Sequence, residues 1–229
     1  LAARGPAHRL QTRAVAGAQP GEVVLVGGGD PTLSVDAKGQ FPGAARLDLL
    51  AKQVKNSLGG TAPTRVLVDT SLFTGPETAK GWSADDISPG GQVSRIQSLM
   101  TNAGRIKPVH NEFGGDPRFS DPAIAAGRSF AKLLGVPVAG VKRGTAPVPA
   151  ETGAADPSAA PVAAAPGAEL GVVQSPPLVQ ISDWMLEQSD NTLAEALARQ
   201  VALAGGEPAS FEGASRAMLA KLGELGMPA

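Results

Sequence analysis

An α+β fold is predicted from three observations. Apolar strand-like runs gather in the first part of the chain. Amphipathic helical segments gather at its end. Between them lies an Ala/Pro-rich stretch, 145–169, with too few large side chains to bury a core. Leu10 to Val15 alternates as a half-buried strand, Gly17–Gly21 carries turn residues, and Glu22 to Val26 is a second apolar run. Residues 9–27 therefore read as a β-hairpin stopped by Gly27-Gly28-Gly29-Asp30-Pro31. Leu47, Leu50, Val54 and Leu58 share one helical face, which predicts a helix over 46–58. Thr64–Asp69 is a short buried-type strand, and 92–110 suggests another hairpin turning at Asn102-Ala103-Gly104. Asp121 and Pro122 are cap and first-turn residues for a helix with Ala126, Phe130, Leu133 and Leu134 on one face. Beyond the stretch 145–169, read as a flexible linker, three helices are expected near 178–187, 192–204 and 211–225. Ser189-Asp190-Asn191 and Gly205-Gly206 separate them, and the chain reads as two unequal parts.

Composition narrows the function. The 229 residues carry 20 basic and 21 acidic side chains, a formal charge of −1, so nothing marks a nucleic-acid or polybasic membrane surface. Cysteine is absent, which removes disulfides, thiolate metal sites and cysteine nucleophiles. The histidines, His8 and His110, are too few for a His-based metal cluster, so neither a metal nor a cofactor is expected. No apolar run reaches the roughly 18 residues of a transmembrane helix, and no signal peptide is visible. The chain begins at Leu1 rather than Met, as an internal portion of a longer protein would.

Several motifs have plain structural readings. The glycines at 27–29 follow a strand, but no helix begins until about Leu47, so they read as a tight backbone turn and not a phosphate loop. Ser129-Phe130-Ala131-Lys132 has the Ser-x-x-Lys spacing of an acylating serine and its base. On the 121–134 helix, however, Lys132 points to solvent, where its pKa would not fall. Asp85-Asp86 and Asp116 to Asp121 lack calcium-loop spacing and read as solvated turn carboxylates. Ser189-Asp190-Asn191 is open to two readings. One is helix capping, with Thr192 and Glu195 spaced as a capping box. The other is the Ser-x-Asn motif of penicillin-recognising enzymes. There a hydroxyl relays a proton and an amide holds the substrate.

Four segments occur in order: VVLVGGGDPTLS (23–34), RVLVDTSLFTG (65–75), GW-x-x-DD (81–86) and QSPPLVQISDWMLEQSDNTLAEALARQVA (174–202). Together they resemble the D-alanyl-D-alanine carboxypeptidase/endopeptidase family, the low-molecular-mass class C penicillin-binding proteins. IQSLMTNAGRIKP (96–108) and the Ala/Pro-rich stretch look most like its actinobacterial and mycobacterial members.

The resemblance implies a serine-type D-Ala-D-Ala carboxypeptidase, or endopeptidase, acting outside the cytoplasmic membrane on peptidoglycan stem peptides and acylated by β-lactam antibiotics. It implies a β-lactamase/transpeptidase-like domain, built on a five-stranded antiparallel sheet, with a large β-rich insertion. Residues 1–30 would be the edge of the active-site domain, 31–169 the insertion, and 170–229 the helical part carrying Ser-x-Asn. Carried over residue by residue, Ser189 becomes a catalytic proton relay and Asn191 a substrate-binding residue; Asp190 receives only local hydrogen bonding. The family's Ser-x-x-Lys and Lys-Thr-Gly motifs are expected outside this chain, because Ser129–Lys132 falls in the insertion and Lys142-Arg143-Gly144 precedes Ser-x-Asn. On its own the chain is then expected to be inactive. The rival readings are a non-catalytic cell-wall binding or scaffolding relative, and an ordinary α+β binding domain whose residues 189–191 merely cap a helix.

Overall fold

A computed structural model describes residues 1–109, 115–149 and 164–227. Five strands, β1 (Gln11–Ala16), β2 (Glu22–Val26), β3 (Arg65–Asp69), β4 (Lys142–Arg143) and β5 (Glu169–Gln174), form one sheet in the order β4-β3-β2-β1-β5. The hairpin expected over 9–27 is the antiparallel pair β1–β2, in register Arg13 with Val26 through Ala16 with Val23. The sheet is mixed, not the antiparallel one that the resemblance implied, because β3 runs parallel to β2 and β4 parallel to β3. A parallel neighbour needs a long crossover. Between β2 and β3 that crossover contains α1 (Leu47–Ser57).

Period-2 alternation sorts the strand residues onto two faces. Ala14, Ala16, Val23, Leu25, Val66 and Val68 point to the larger core, where Leu47, Leu50, Ala51 and Val54 of α1 meet Ala126, Phe130 and Leu134 of α3 (Pro122–Leu134). Val15, Val24 and Leu67 point the other way, against Ala146. As the sequence predicts, α3 is capped by Asp121, whose carboxylate accepts from the Ile124 amide at 3.1 Å. Lys132 is exposed, so the 129–132 tetrad is a surface pair.

One expectation fails here, and one lies largely outside the described residues. Residues 92–110 do not form a hairpin. Instead of pairing with itself, the segment bonds singly to distant chain: the Ile96 amide to Glu77 O, Ser98 O to the Gly29 amide and the Gln97 side chain to the Ala123 amide. The second concerns the 145–169 stretch, of which 150–163 lies outside the described residues. Its last residue, Glu169, begins β5, and Gly167 and Ala168 hydrogen-bond Ala16. Strand β5 then pairs with β1, from Gln11–Gln174 to Val15–Glu169, so the sheet takes strands from both sides of the Ala/Pro-rich stretch.

The short α2 (Ala84–Ile87) and three longer helices complete the fold: α4 (Leu178–Glu187), α5 (Asn191–Ala204) and α6 (Phe211–Glu224), all three within a residue of their predicted bounds. The first turn of α4 is tied to the N-terminal segment, with the Leu178 amide donating to His8 O at 2.9 Å. Leu178, Ile181 and Trp184 of α4 pack with Leu193 of α5, Leu10 and Phe41 in a second core. Each such fully buried side chain is worth about 1.5–3 kcal/mol in removed apolar surface. That core fixes the angle between α4 and α5, and so the turn that joins them.

Candidate active site

The α4–α5 turn is Ser189-Asp190-Asn191. Ser189 has φ +49, a left-handed conformation that costs an L-residue about 1–2 kcal/mol. Its side chain is exposed, and its hydroxyl makes no hydrogen bond among the described residues. Asp190 is the N-cap of α5: its Oδ1 accepts from the Thr192 amide at 2.8 Å and the Leu193 amide at 3.0 Å. Asn191, also exposed, donates from Nδ2 to Gln92 O at 3.3 Å.

Capping is therefore present, but at a different residue from the one its spacing suggested. Thr192 is buried inside the helix and its Oγ1 accepts from the Ser94 amide at 3.0 Å, while Glu195 pairs with Arg199 at 3.4 Å. The cap falls to Asp190, whose Oδ1 reaches two free amides of the first turn of α5. Ser189 and Asn191 flank it, both open to solvent and neither one the cap.

Asn191 forms part of the wall of a pocket of about 310 Å³ together with Trp82, Asp86, Gln92, Val93, Ala194 and Glu195. Asp86, expected to be merely solvated, closes a capping box on α2: Asp86 Oδ2 accepts from the Ser83 amide at 2.7 Å, and Ser83 Oγ from the Asp86 amide. Burial raises the Glu195 carboxyl above its ordinary pKa, and the Arg199 guanidinium partly counters that. Arg199 is wholly buried, 4.2 Å from the Phe211 ring centroid and 5.6 Å from that of Phe73. Its desolvation lowers its pKa.

Beneath the turn lies a buried charge cluster that sequence reasoning missed. Asp116, read as a solvated turn carboxylate, is 4% exposed and meets Arg105 Nε at 2.9 Å. Arg105 Nη2 reaches Asp190 Oδ2 at 2.8 Å. Arg118 is buried beside them, donating to Ala103 O at 2.7 Å and twice to Gly91 O; burial and the neighbouring Arg105 lower its pKa to about 10. The formal charges of these two arginines and two aspartates cancel, which offsets part of the cost of taking them out of water. Buried charges far apart in sequence leave no local pattern, so no spacing in the sequence announces this cluster.

The GGGDPTLS run, 27–34, makes no phosphate loop: no helix follows before Leu47. A side chain at Gly28 would place Cβ 1.8 Å from Gln11 O, which explains the glycine. Asp30 is wholly buried, with Oδ1 accepting from Thr32 Oγ1 at 2.6 Å and from the Thr32 amide at 2.8 Å. Burial pushes its carboxyl up to about 6. Among the described residues no group of three His, Cys, Asp or Glu could hold a metal ion, and no helix is long and apolar enough to cross a membrane.

Ser189, with its left-handed backbone, and Asn191, on a pocket wall, thus stand exposed at the α4–α5 junction of a fold with a mixed sheet. The chain belongs to the D-Ala-D-Ala carboxypeptidase 3 (S13) family, whose model matches residues 1–133 and 118–228. It is 42% identical over 221 residues to Carboxypeptidase Rv3627c of Mycobacterium tuberculosis, covering 93% of this chain and 42% of that protein. It is 40% identical over 212 residues to Carboxypeptidase DacB of Mycolicibacterium smegmatis, covering 91% of this chain and 41% of that one. The chain thus spans about two-fifths of the length of these curated relatives. Among solved structures it resembles penicillin binding protein 4 (dacB) from Haemophilus influenzae, with a TM-score of 0.60 and 19% identity over 99% of this chain and 60% of the other. That likeness shows a shared fold.

Proposed function

We propose that the protein containing this chain is a serine-type D-Ala-D-Ala carboxypeptidase, or endopeptidase, of the cell envelope. It acts on peptidoglycan stem peptides and is acylated by β-lactams. The observation that carries this reading is the division of labour at the α4–α5 turn: Asp190 alone caps α5, and this leaves Ser189 and Asn191 exposed on either side of it. Strain held at an exposed serine is costly, and such strain clusters where a side chain must be presented. In this reading the Ser189 hydroxyl helps pass the proton lost by the attacking serine hydroxyl to the amine of the departing D-Ala, and the Asn191 amide hydrogen-bonds the peptide backbone at the mouth of the 310 Å³ pocket. Asp86 and Glu195 give that pocket a negative wall suited to an amino group on the substrate.

The acylated serine, its lysine and the Lys-Thr-Gly strand belong, in this reading, to parts of the protein outside this chain. The Ser129–Lys132 pair does not replace them, because Lys132 is exposed on the outer face of α3, and a lysine base must be partly desolvated. The division into an active-site edge (1–30), an insertion (31–169) and a helical part (170–229) is proposed in the same sense, with the mixed sheet as the frame on which these stretches meet.

Intact-mass analysis of the full-length protein before and after incubation with benzylpenicillin tests the proposal. One drug adduct, together with release of D-Ala from a peptide ending in D-Ala-D-Ala, is the expected result. A full-length protein that takes no adduct and releases no D-Ala would instead be a non-catalytic cell-wall binding relative.

A further inference from the structure

We infer that Arg105 is a positioning residue for the Ser189–Asn191 turn, held in place by the conformation of residues 101–105 and acting through Asp190. The inference rests on the assignment of Ser189 and Asn191 to the site. Asp190 uses one oxygen to cap α5 and the other to meet Arg105 Nη2 at 2.8 Å, with both side chains out of solvent, at 2% and 0% exposure. The orientation of that carboxylate therefore fixes the first turn of α5 and, one residue either side, the directions of Ser189 and Asn191. The same guanidinium grips Asp116 through Nε. A planar fork serves the two carboxylates from fixed, separate donors; a lysine ammonium would be a single point charge between them.

The backbone that aims Arg105 is unusual. Asn102, Ala103 and Gly104 lie consecutively in the left-handed region, with φ of 50, 52 and 77, and two of the three bear side chains. Such strain persists only where surroundings enforce it. Here the Asn102 amide donates to Leu33 O at 2.8 Å and the Ala103 amide to Pro31 O at 2.7 Å, and Asn102 Oδ1 accepts from the Gln40 amide. The carbonyls of the GGGDPTLS run thus hold the left-handed turn, and the turn holds Arg105. A second tie reaches the same place, from Gln40 Nε2 to Gln188 Oε1 at 3.1 Å, one residue before Ser189. This gives the 27–34 run a role its glycines alone did not suggest.

The test uses the full-length protein carrying Arg105→Met and, separately, Arg105→Lys. It reads turnover of a D-Ala-D-Ala peptide and amide hydrogen exchange over 186–194, with α6 (211–224) as internal control. For Arg105→Met the expectation is a fall in kcat of at least about tenfold with KM nearly unchanged, because a slight misplacement of a reacting group is costly. Exchange over 186–194 should rise by about tenfold or more while 211–224 keeps its wild-type rate. Arg105→Lys should recover part of both losses. A folded Arg105→Met protein with wild-type kcat and wild-type exchange over 186–194 overturns the inference. If that variant does not fold, the lysine variant decides in the same way, and failure of both to fold would make Arg105 a general structural residue and also overturn it. Should the wild-type protein neither turn over peptide nor bind benzylpenicillin, the functional proposal falls. The exchange measurement would still report whether Arg105 positions the turn.

Discussion

Replacing Ser189 by glycine is expected to make the protein more stable and less active at once. The left-handed φ of +49 costs a serine about 1–2 kcal/mol, and glycine removes that cost. Against it stands the extra freedom glycine has when unfolded, about 0.4–1 kcal/mol. Because the side chain is exposed and its hydroxyl makes no hydrogen bond among the described residues, little else is lost. The net gain is then about 0.5–1 kcal/mol, or ~2–4 °C in Tm for each kcal/mol in a domain of this size. Ser189→Ala is the control, since it keeps Cβ and the strain and should stay within about 0.5 kcal/mol of wild type. Both variants remove the proton relay and should lose about 10²–10⁴-fold in turnover of a D-Ala-D-Ala peptide. Urea unfolding of the two variants beside steady-state kinetics would separate these effects. A Ser189→Gly protein clearly less stable than Ser189→Ala would refute the strain argument; full turnover by Ser189→Ala would refute the relay.

Two further outcomes follow from buried charges. Asp30 has its carboxyl raised from 3.8 to about 6 in the folded state, so the folded protein binds the extra proton between those values. Its contribution to stability is therefore complete below about pH 4 and is lost as pH rises toward 6, by up to about 3 kcal/mol. The difference in unfolding free energy between wild type and Asp30→Asn, measured from pH 4 to 7, should fall across that window and then level off; a flat difference would exclude the shift. Arg199→Met removes the guanidinium that holds down the raised carboxyl of Glu195, so the Glu195 pKa should rise further. A ¹³C titration of the Glu195 carboxyl checks this, and an unchanged or lowered value would contradict the pairing.

The parts of this molecule that were legible in the sequence are those governed by local rules. Helices α3 to α6 announced themselves through 3.6-residue periodicity and through Asp121-Pro122, Asn191 and Gly205-Gly206 at their ends. The hairpin β1–β2 followed from alternation around a glycine turn. What was misread depends on distant partners. Residues 92–110 carry strand-like residues, but Ser94, Gln97 and Ser98 are buried as single contacts to other segments, and no second strand lies beside them among the described residues. Strand β5 was hidden because its pairing partner, β1, is far away in sequence. The site was half legible. Ser189 and Asn191 stand at the helix junction that the periodicity predicted, but the buried Arg105 and Asp116 lie some 70 to 85 residues upstream, and charge burial has no local signature.

The pairing of β1 with β5 also sets a schedule. The two strands are about 160 residues apart, so on a ribosome adding about 5–20 residues per second β1 waits roughly 10–30 s for its second neighbour. During that interval one full edge of a half-buried strand is unpaired, the condition under which chains add to one another. Its side-chain faces can be covered sooner, since α1 and β2 emerge early, yet the backbone edge stays open until Gln174 has left the exit tunnel. Completion of this sheet is thus late and non-local, a high-contact-order step that makes the nascent chain a client for whatever shields exposed strands during synthesis.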